Sequence, residues 1–150
     1  MFNISVDLLF IIHFSATLFM TGLIWVVQVL HYPSYRYISL EKFSAYQNFH
    51  TEAITLIVGP VMLIEIFSGL FLLINSQFDR LHVLNFSGLC ILWLATLFFS
   101  VPNHNKLHLG FNDQVINQLI QTNWIRTILW TLRSGLLIYI LILATTSRRP

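Results

Sequence analysis

Apolar residues run along this chain in four long stretches, separated by short clusters rich in polar side chains. A helix needs about 20 consecutive apolar residues to cross a ~30 Å hydrocarbon core. By that measure the predicted spans are residues 8–30, 53–74, 81–101 and 124–145. The pattern predicts an all-α fold in which the 150 residues form a single integral membrane domain, a four-transmembrane-helix bundle.

The connections are unequal. Asn75, Ser76, Gln77, Phe78, Asp79 and Arg80 make a tight turn, whereas 31–52 and 102–123 are longer and lie together on the side opposite the termini. Both longer connections carry helical signals. Ser39 is a candidate N-cap with Glu41 in the first turn, and Phe43, Tyr46, Gln47 and His50 follow at helical spacing. After Asn112 or Asp113, Val115, Ile116, Leu119 and Ile120 do the same. Helices 2 and 4 are therefore expected to extend about ten residues, or ~15 Å, beyond the bilayer around a small aqueous vestibule.

The halves echo each other. Helix 1 ends in His31-Tyr32-Pro33 and helix 3 in Pro102-Asn103-His104, and each loops into an amphipathic entry to a long helix. Two tandem parallel hairpins about an axis normal to the membrane would give this layout. Pro60 and Pro102 are expected to kink helix 2 and to end or kink helix 3. Tyr32, Tyr35, Tyr37 and Trp124 fall at one end, where amphipathic rings favour the headgroup layer.

Composition agrees with a membrane protein. The chain is 56% hydrophobic and 9% charged, with mean hydropathy +0.73, where soluble domains carry about a quarter charged residues. The first run lacks a basic n-region and a small-residue cleavage pattern, so a retained helix is expected rather than a signal peptide. Cys90 is the sole cysteine, which excludes an internal disulfide and a Cys-rich metal site. The net charge of +2 comes from dispersed Lys and Arg, so no nucleic-acid partner is expected. Basic residues nearly balance across the membrane, and the Arg148-Arg149 pair after the last span favours cytoplasmic termini.

Polar groups inside the apolar runs are the candidate chemistry, because burying them in hydrocarbon costs several kcal/mol each. On helix 1, His13 and His31 point the same way, with Thr17, Thr21 and Gln28 within about 80°. On helix 4, Asn123, Arg126, Trp130 and Arg133 share a face. Rise per residue places Glu65 roughly 20 Å below Glu52 and Arg133 roughly 14 Å below Trp124, within reach for a Glu65–Arg133 pair. That pair reads equally as a lock between helices and as a site for an anionic or carbonyl group.

Nearer the vestibule, Gln28, His31, His50, Glu52, His104, His108, Asn123 and Arg126 are expected to converge from all four helices. Three imidazoles there, His31, His50 and His104, are candidate ligands for Zn, Cu or Fe, or for haem. His82 and His108 read as solvated. No carboxylate-rich metal motif, nucleophile elbow or phosphate loop is present, and Gly22, Gly69, Gly88 and Gly135 read as close-packing positions between helices.

The segments Trp25-Val-Val-Gln28-Val-Leu-His31-Tyr-Pro33, Val58-Gly-Pro60-Val-Met-Leu-Ile-Glu65, Val101-Pro-Asn-His104-Asn-Lys-Leu107 and Asn123-Trp-Ile-Arg126-Thr-Ile-Leu-Trp130-Thr-Leu-Arg133 resemble a family of small uncharacterised bacterial four-helix integral membrane proteins. The resemblance implies the bacterial inner membrane. The span layout and the Asn-Trp-x-Arg-Thr entry to helix 4 are also loosely similar to anthrone-oxygenase-like membrane proteins. Some of those are associated with oxidation of polycyclic phenolic substrates, but that likeness transfers no catalytic residue.

Three functions remain open at this level. One is a membrane oxidoreductase or cofactor protein, with His31, His50 and His104 as ligands and Gln28, Glu65, Arg126 and Arg133 positioning a cofactor or apolar substrate. Another is a non-catalytic anion- or lipid-binding or small transport module using Glu65 and the arginines. The third is an assembly partner or homo-oligomer whose polar seam only pairs helices.

Overall fold

A computed structural model describes residues 4–146. The first rod, α1, is α-helical over Ile4–Val26, passes through a π-helical turn at Val27–His31, and ends in short turns at Tyr32–Ser34 and Tyr35–Tyr37. The second, α2, is one helix over Leu40–Asn75. The third, α3, runs through Arg80–Ala95, a π turn at Thr96–Ser100 and Val101–Leu107. The fourth, α4, spans Asp113–Thr146. Each rod is long and apolar enough to cross a membrane, and no strand occurs among the described residues. The Arg148-Arg149 pair used to argue orientation lies outside the described residues.

At 1.5 Å per residue α2 is about 54 Å long and α4 about 51 Å, well beyond a ~30 Å hydrocarbon core. The extension predicted for these two helices is therefore present. Ser39 has the extended backbone of an N-cap before α2 but makes no side-chain capping bond. Asp79 caps α3, its Oδ1 accepting from the Leu81 N–H at 2.8 Å. Asn112 Oδ1 does the same for the Val115 N–H at 3.1 Å. Between α2 and α3, Gln77 and Phe78 take left-handed φ values of 53° and 61°, which lets the Phe78 N–H close back on the Leu73 carbonyl at 3.1 Å.

Both π turns have the same cause. Proline has no N–H to donate, and its ring collides with the carbonyl four residues earlier. For Pro33 and Pro102 those carbonyls belong to Val29 and Phe98, each in the middle of its π turn. Widening the helix there relieves the clash. Instead of ending at Pro102, α3 runs on to Leu107. The matching π-turn and proline in α1 and α3 support the tandem-hairpin layout, with Pro33 corresponding to Pro102.

Neighbouring rods are α1–α2, α2–α3, α3–α4 and α4–α1, a four-sided bundle in which α1 faces α3, and α2 faces α4, across the axis. Large apolar side chains such as Ile11, Phe67, Phe71, Leu94, Phe98 and Leu132 are exposed on its outside, where a bilayer satisfies them. The chain is a multi-pass membrane protein by helix length and composition. Tyr32 and Tyr35 depart from the headgroup-layer expectation. They are 3% and 0% exposed, because the helical path through Pro33 turns both toward the axis.

Candidate functional site

The bundle axis holds a polar cluster drawn from all four helices. Arg133 Nη1 on α4 donates to Glu65 Oε1 on α2 at 2.7 Å, joining one diagonal of the bundle. Asn85 Nδ2 on α3 donates to His13 Nε2 on α1 at 3.0 Å, joining the other. Arg133 Nε donates to Asn85 Oδ1 at 3.1 Å and so ties the diagonals together. Glu65 also accepts from Thr17 Oγ1 at 2.8 Å and from the Trp130 indole N–H at 3.1 Å.

Ser68 fixes the imidazole. His13 Nδ1 lies 2.8 Å from Ser68 Oγ, whose hydroxyl donates to the Ile64 carbonyl. Nδ1 must therefore carry the proton, leaving Nε2 to accept from Asn85. His13, Thr17, Glu65, Ser68, Asn85, Trp130 and Arg133 are all buried, and none carries an unpartnered buried polar atom. This cluster is saturated and has the character of a lock.

Two glycines make room for it. A Cβ on Gly69 would stand 2.9 Å from His13 Cε1, and one on Gly88 would stand 3.2 Å from Arg133 Cδ. Gly22 and Gly135 have nothing within 4 Å of a built Cβ. They are not close-packing positions, since their faces look away from any neighbouring rod.

About 10 Å nearer the long loops, two helical turns along α4, Arg126 is in a different situation. Its Nη1 donates to Ser100 Oγ at 3.0 Å and to Asn123 Oδ1 at 3.2 Å, and its guanidinium lies 5.3 Å from the Trp130 ring centre. Asn123 is held in turn by Gln28, whose Oε1 accepts from Asn123 Nδ2 at 2.9 Å. Every partner is neutral, and Arg126 has no carboxylate partner among the described residues. Its Nε is buried without an acceptor.

Arg126 forms part of the wall of a cavity of about 290 Å³ between α2 and α3. The walls are mainly apolar, with Ile54, Val58, Met62 and Leu97 among them, and Gly59 leaves one side low. Trp93, Ser100 and His104 share it, because α3 continues helical past Pro102 and carries His104 to the same side as the other two. Trp93 Nε1 is also buried and unpartnered. Two residues of its lining thus carry unpaired groups buried within the wall, Arg126 Nε and Trp93 Nε1, and both can only donate.

The vestibular imidazoles gather beside this cavity. His31 Nε2 and His50 Nδ1 are 2.8 Å apart, and the His50 and His104 ring centres are 5.4 Å apart. His104 Nε2 meets Tyr32 OH at 3.2 Å, while its Nδ1 accepts from Gln47 Nε2 at 3.0 Å. These are hydrogen bonds. Two nitrogens bound to one tetrahedral Zn at ~2.0–2.1 Å would stand more than ~3 Å apart, so His31 and His50 would have to part to share an ion. Among the described residues no group of three His, Cys, Asp or Glu side chains has metal-holding geometry.

The expected convergence is narrower than the sequence suggested. Glu52 is exposed, and His108 pairs with Asn48 Oδ1 near the surface. Gln28, His31, His50, His104, Asn123 and Arg126 do lie in one region, with Tyr32 buried among them. Asn85 was missed by the sequence reading, which also set Tyr32 in the headgroup layer and not in this region. Asn85 had a usable signal, since it is an amide inside an apolar run, as Glu65 is a carboxylate inside one. Compared with protein-family models, curated proteins and solved structures, the chain shows no significant match.

Proposed function

We propose that this protein binds an apolar molecule bearing an anionic or carbonyl group, taken from the bilayer into the cavity between α2 and α3. The observation that carries this reading is the pair of unpartnered donors, Arg126 Nε and Trp93 Nε1, on residues lining a largely apolar cavity of about 290 Å³. A buried donor left unsatisfied costs about 1–3 kcal/mol, and a ligand oxygen removes that cost. Pockets for small ligands follow the same plan of apolar walls with a few placed polar groups.

The setting we propose is the inner membrane of a bacterium, as the family resemblance implies. Glu65 and Arg133 are a lock in this reading, because their polar atoms are already occupied. The test is thermal stabilisation of the purified protein by 2-naphthoate and 2-naphthamide, beside naphthalene, which has no acceptor. The first two should raise the melting temperature and naphthalene should not, and Arg126→Gln should remove the shift. Equal stabilisation by naphthalene would sink the reading.

A cofactor reading rests on a separate observation, the buried and unpartnered His50 Nε2, Gln47 Oε1 and Tyr35 OH around the imidazoles. It predicts a stoichiometric metal or a haem absorption band in the purified protein, lost in a His31→Ala/His104→Ala double variant.

A further inference from the structure

The cavity between α2 and α3 runs lengthwise. Its α2 wall extends from Ile54 to Met62 and its α3 wall from Trp93 to His104, roughly 12 Å and 16 Å along the two helices. Exposed Glu52 and Lys106 lie just beyond its upper end, toward the long loops, and its lower end comes near the middle of a ~30 Å hydrocarbon core. It therefore occupies the depth of one leaflet and runs parallel to the lipid chains. The π turn at Thr96–Ser100 packs against α4. Across from it Gly59 carries no side chain to close the gap, and a Cβ there would meet nothing within 4 Å. Thr55, Leu97 and Val101 are exposed along the rim, so the slot opens sideways to lipid.

The two ends of the slot differ. At the upper end Arg126 binds Ser100 Oγ at 3.0 Å, with Tyr32 and His104 beside it. Below, Val58, Met62 and Leu97 line the walls, and Trp93 closes the floor with its Nε1 inside the wall. We propose that the occupant is an extended alkyl chain ending in a carboxylate, its head at Arg126 and its tail pointing toward Met62 and Trp93. The inference rests on the binding reading above and deepens it by naming the shape and polarity of the ligand. It draws on the charge of Arg126 and on the apolar walls, not on the donors enclosed within them.

Charge and length decide this choice. Arg126 has no carboxylate partner among the described residues, and in a low-dielectric interior an anion beside it is strongly favoured. Ser100 stands two helical turns above Trp93, so the distance from head to floor is about 10 Å. A saturated chain advances about 1.25 Å per carbon, from a bond of ~1.5 Å and an angle near 111°, so roughly eight carbons reach the floor. The tail adds dispersion contacts along walls that a compact ring held at Arg126 would leave untouched.

The experiment is thermal stabilisation of the purified full chain by hexanoate, decanoate and 2-naphthoate, in one detergent at about pH 8, where the carboxyl groups are ionised. Wild type is compared with Met62→Trp, which raises the floor, and with Arg126→Gln. The detergent takes up each acid equally for every variant, so the ratio of half-maximal concentrations to wild type reads the slot alone. Met62→Trp should weaken decanoate about tenfold or more, by overpacking a filled site, and leave hexanoate within about twofold. Arg126→Gln should weaken both acids by the same factor. Met62→Phe, a smaller intrusion, gives the same sign if the Trp variant fails to fold. Equal weakening of both acids by the Met62 variants, or of neither, overturns the placement of the chain and leaves the binding reading standing on 2-naphthoate. Stabilisation by 2-naphthoate and by neither alkyl acid overturns it too, the cavity then taking a compact ring. No stabilisation by any of the three overturns both.

Discussion

Arg126 and Arg133 lie seven residues apart on one face of α4 and end in opposite electrostatic situations. Arg133 meets Glu65 at 2.7 Å, whereas Arg126 meets the neutral Ser100, Asn123, Trp130 and Tyr32. Trp130 sits between them, giving its N–H to Glu65 and its ring face to Arg126. One cation is therefore part of the bundle's lock, and the other has no counter-charge among the described residues.

Breaking the lock should be costly and removing it whole should not. Arg133→Ala or Glu65→Ala leaves a buried charge or its partners unpaired, an effect worth about 3–5 kcal/mol in proteins. The double replacement Glu65→Leu/Arg133→Met should recover much of that loss. Denaturant unfolding of the three variants in one detergent checks it. A double variant no better than the sum of the singles would contradict the lock.

For Arg126 the expected signs differ. It brings a buried charge without a counter-charge, so Arg126→Met should keep or raise the melting temperature of the ligand-free protein while abolishing stabilisation by 2-naphthoate. A marked fall in ligand-free stability would instead make Arg126 structural.

The glycines separate by what a methyl group would meet. Gly69→Ala should destabilise most, since the imidazole it would strike is held by Ser68 and Asn85. Gly88→Ala should cost less because the Arg133 stem can shift. Gly22→Ala and Gly135→Ala fall inside α-helices with open space around them, and Ala exceeds Gly there by about 0.5–1 kcal/mol, so both should stabilise. Melting temperatures of the four variants give the order.

At the α2–α3 turn, pH becomes a probe. Burial pushes the Asp79 carboxyl up, but the Leu81 N–H and the His82 side chain and N–H outweigh it and hold the group below its ordinary value. A carboxyl lowered by folding stabilises above its unfolded pKa and loses that contribution as the pH falls through its folded one. Asp79→Asn keeps a capping oxygen and removes the charge. The variant should melt below the wild type near neutral pH, and the two curves should converge in acid.

Much of this was legible in order of residues. Four apolar runs of membrane-crossing length, the entries at Ser39 and Asn112, and the inward face of α4 follow from hydropathy and from 100° per residue, both local properties. The helical periodicity also places Glu65 and Arg133 at compatible depths, because rise along a helix is constant. Tertiary structure decided everything that depends on how one rod is turned against another. Periodicity sets a side chain's direction about its own axis and says nothing of what stands opposite. So depth admitted the Glu65–Arg133 pair that the sequence pointed to, and the crossing of the diagonals closed it at 2.7 Å. The same rotation turned Tyr32 and Tyr35 inward, left Gly22 and Gly135 facing open space, and opened a cavity lined by Trp93 and Arg126, whose Nε1 and Nε have no partner among the described residues.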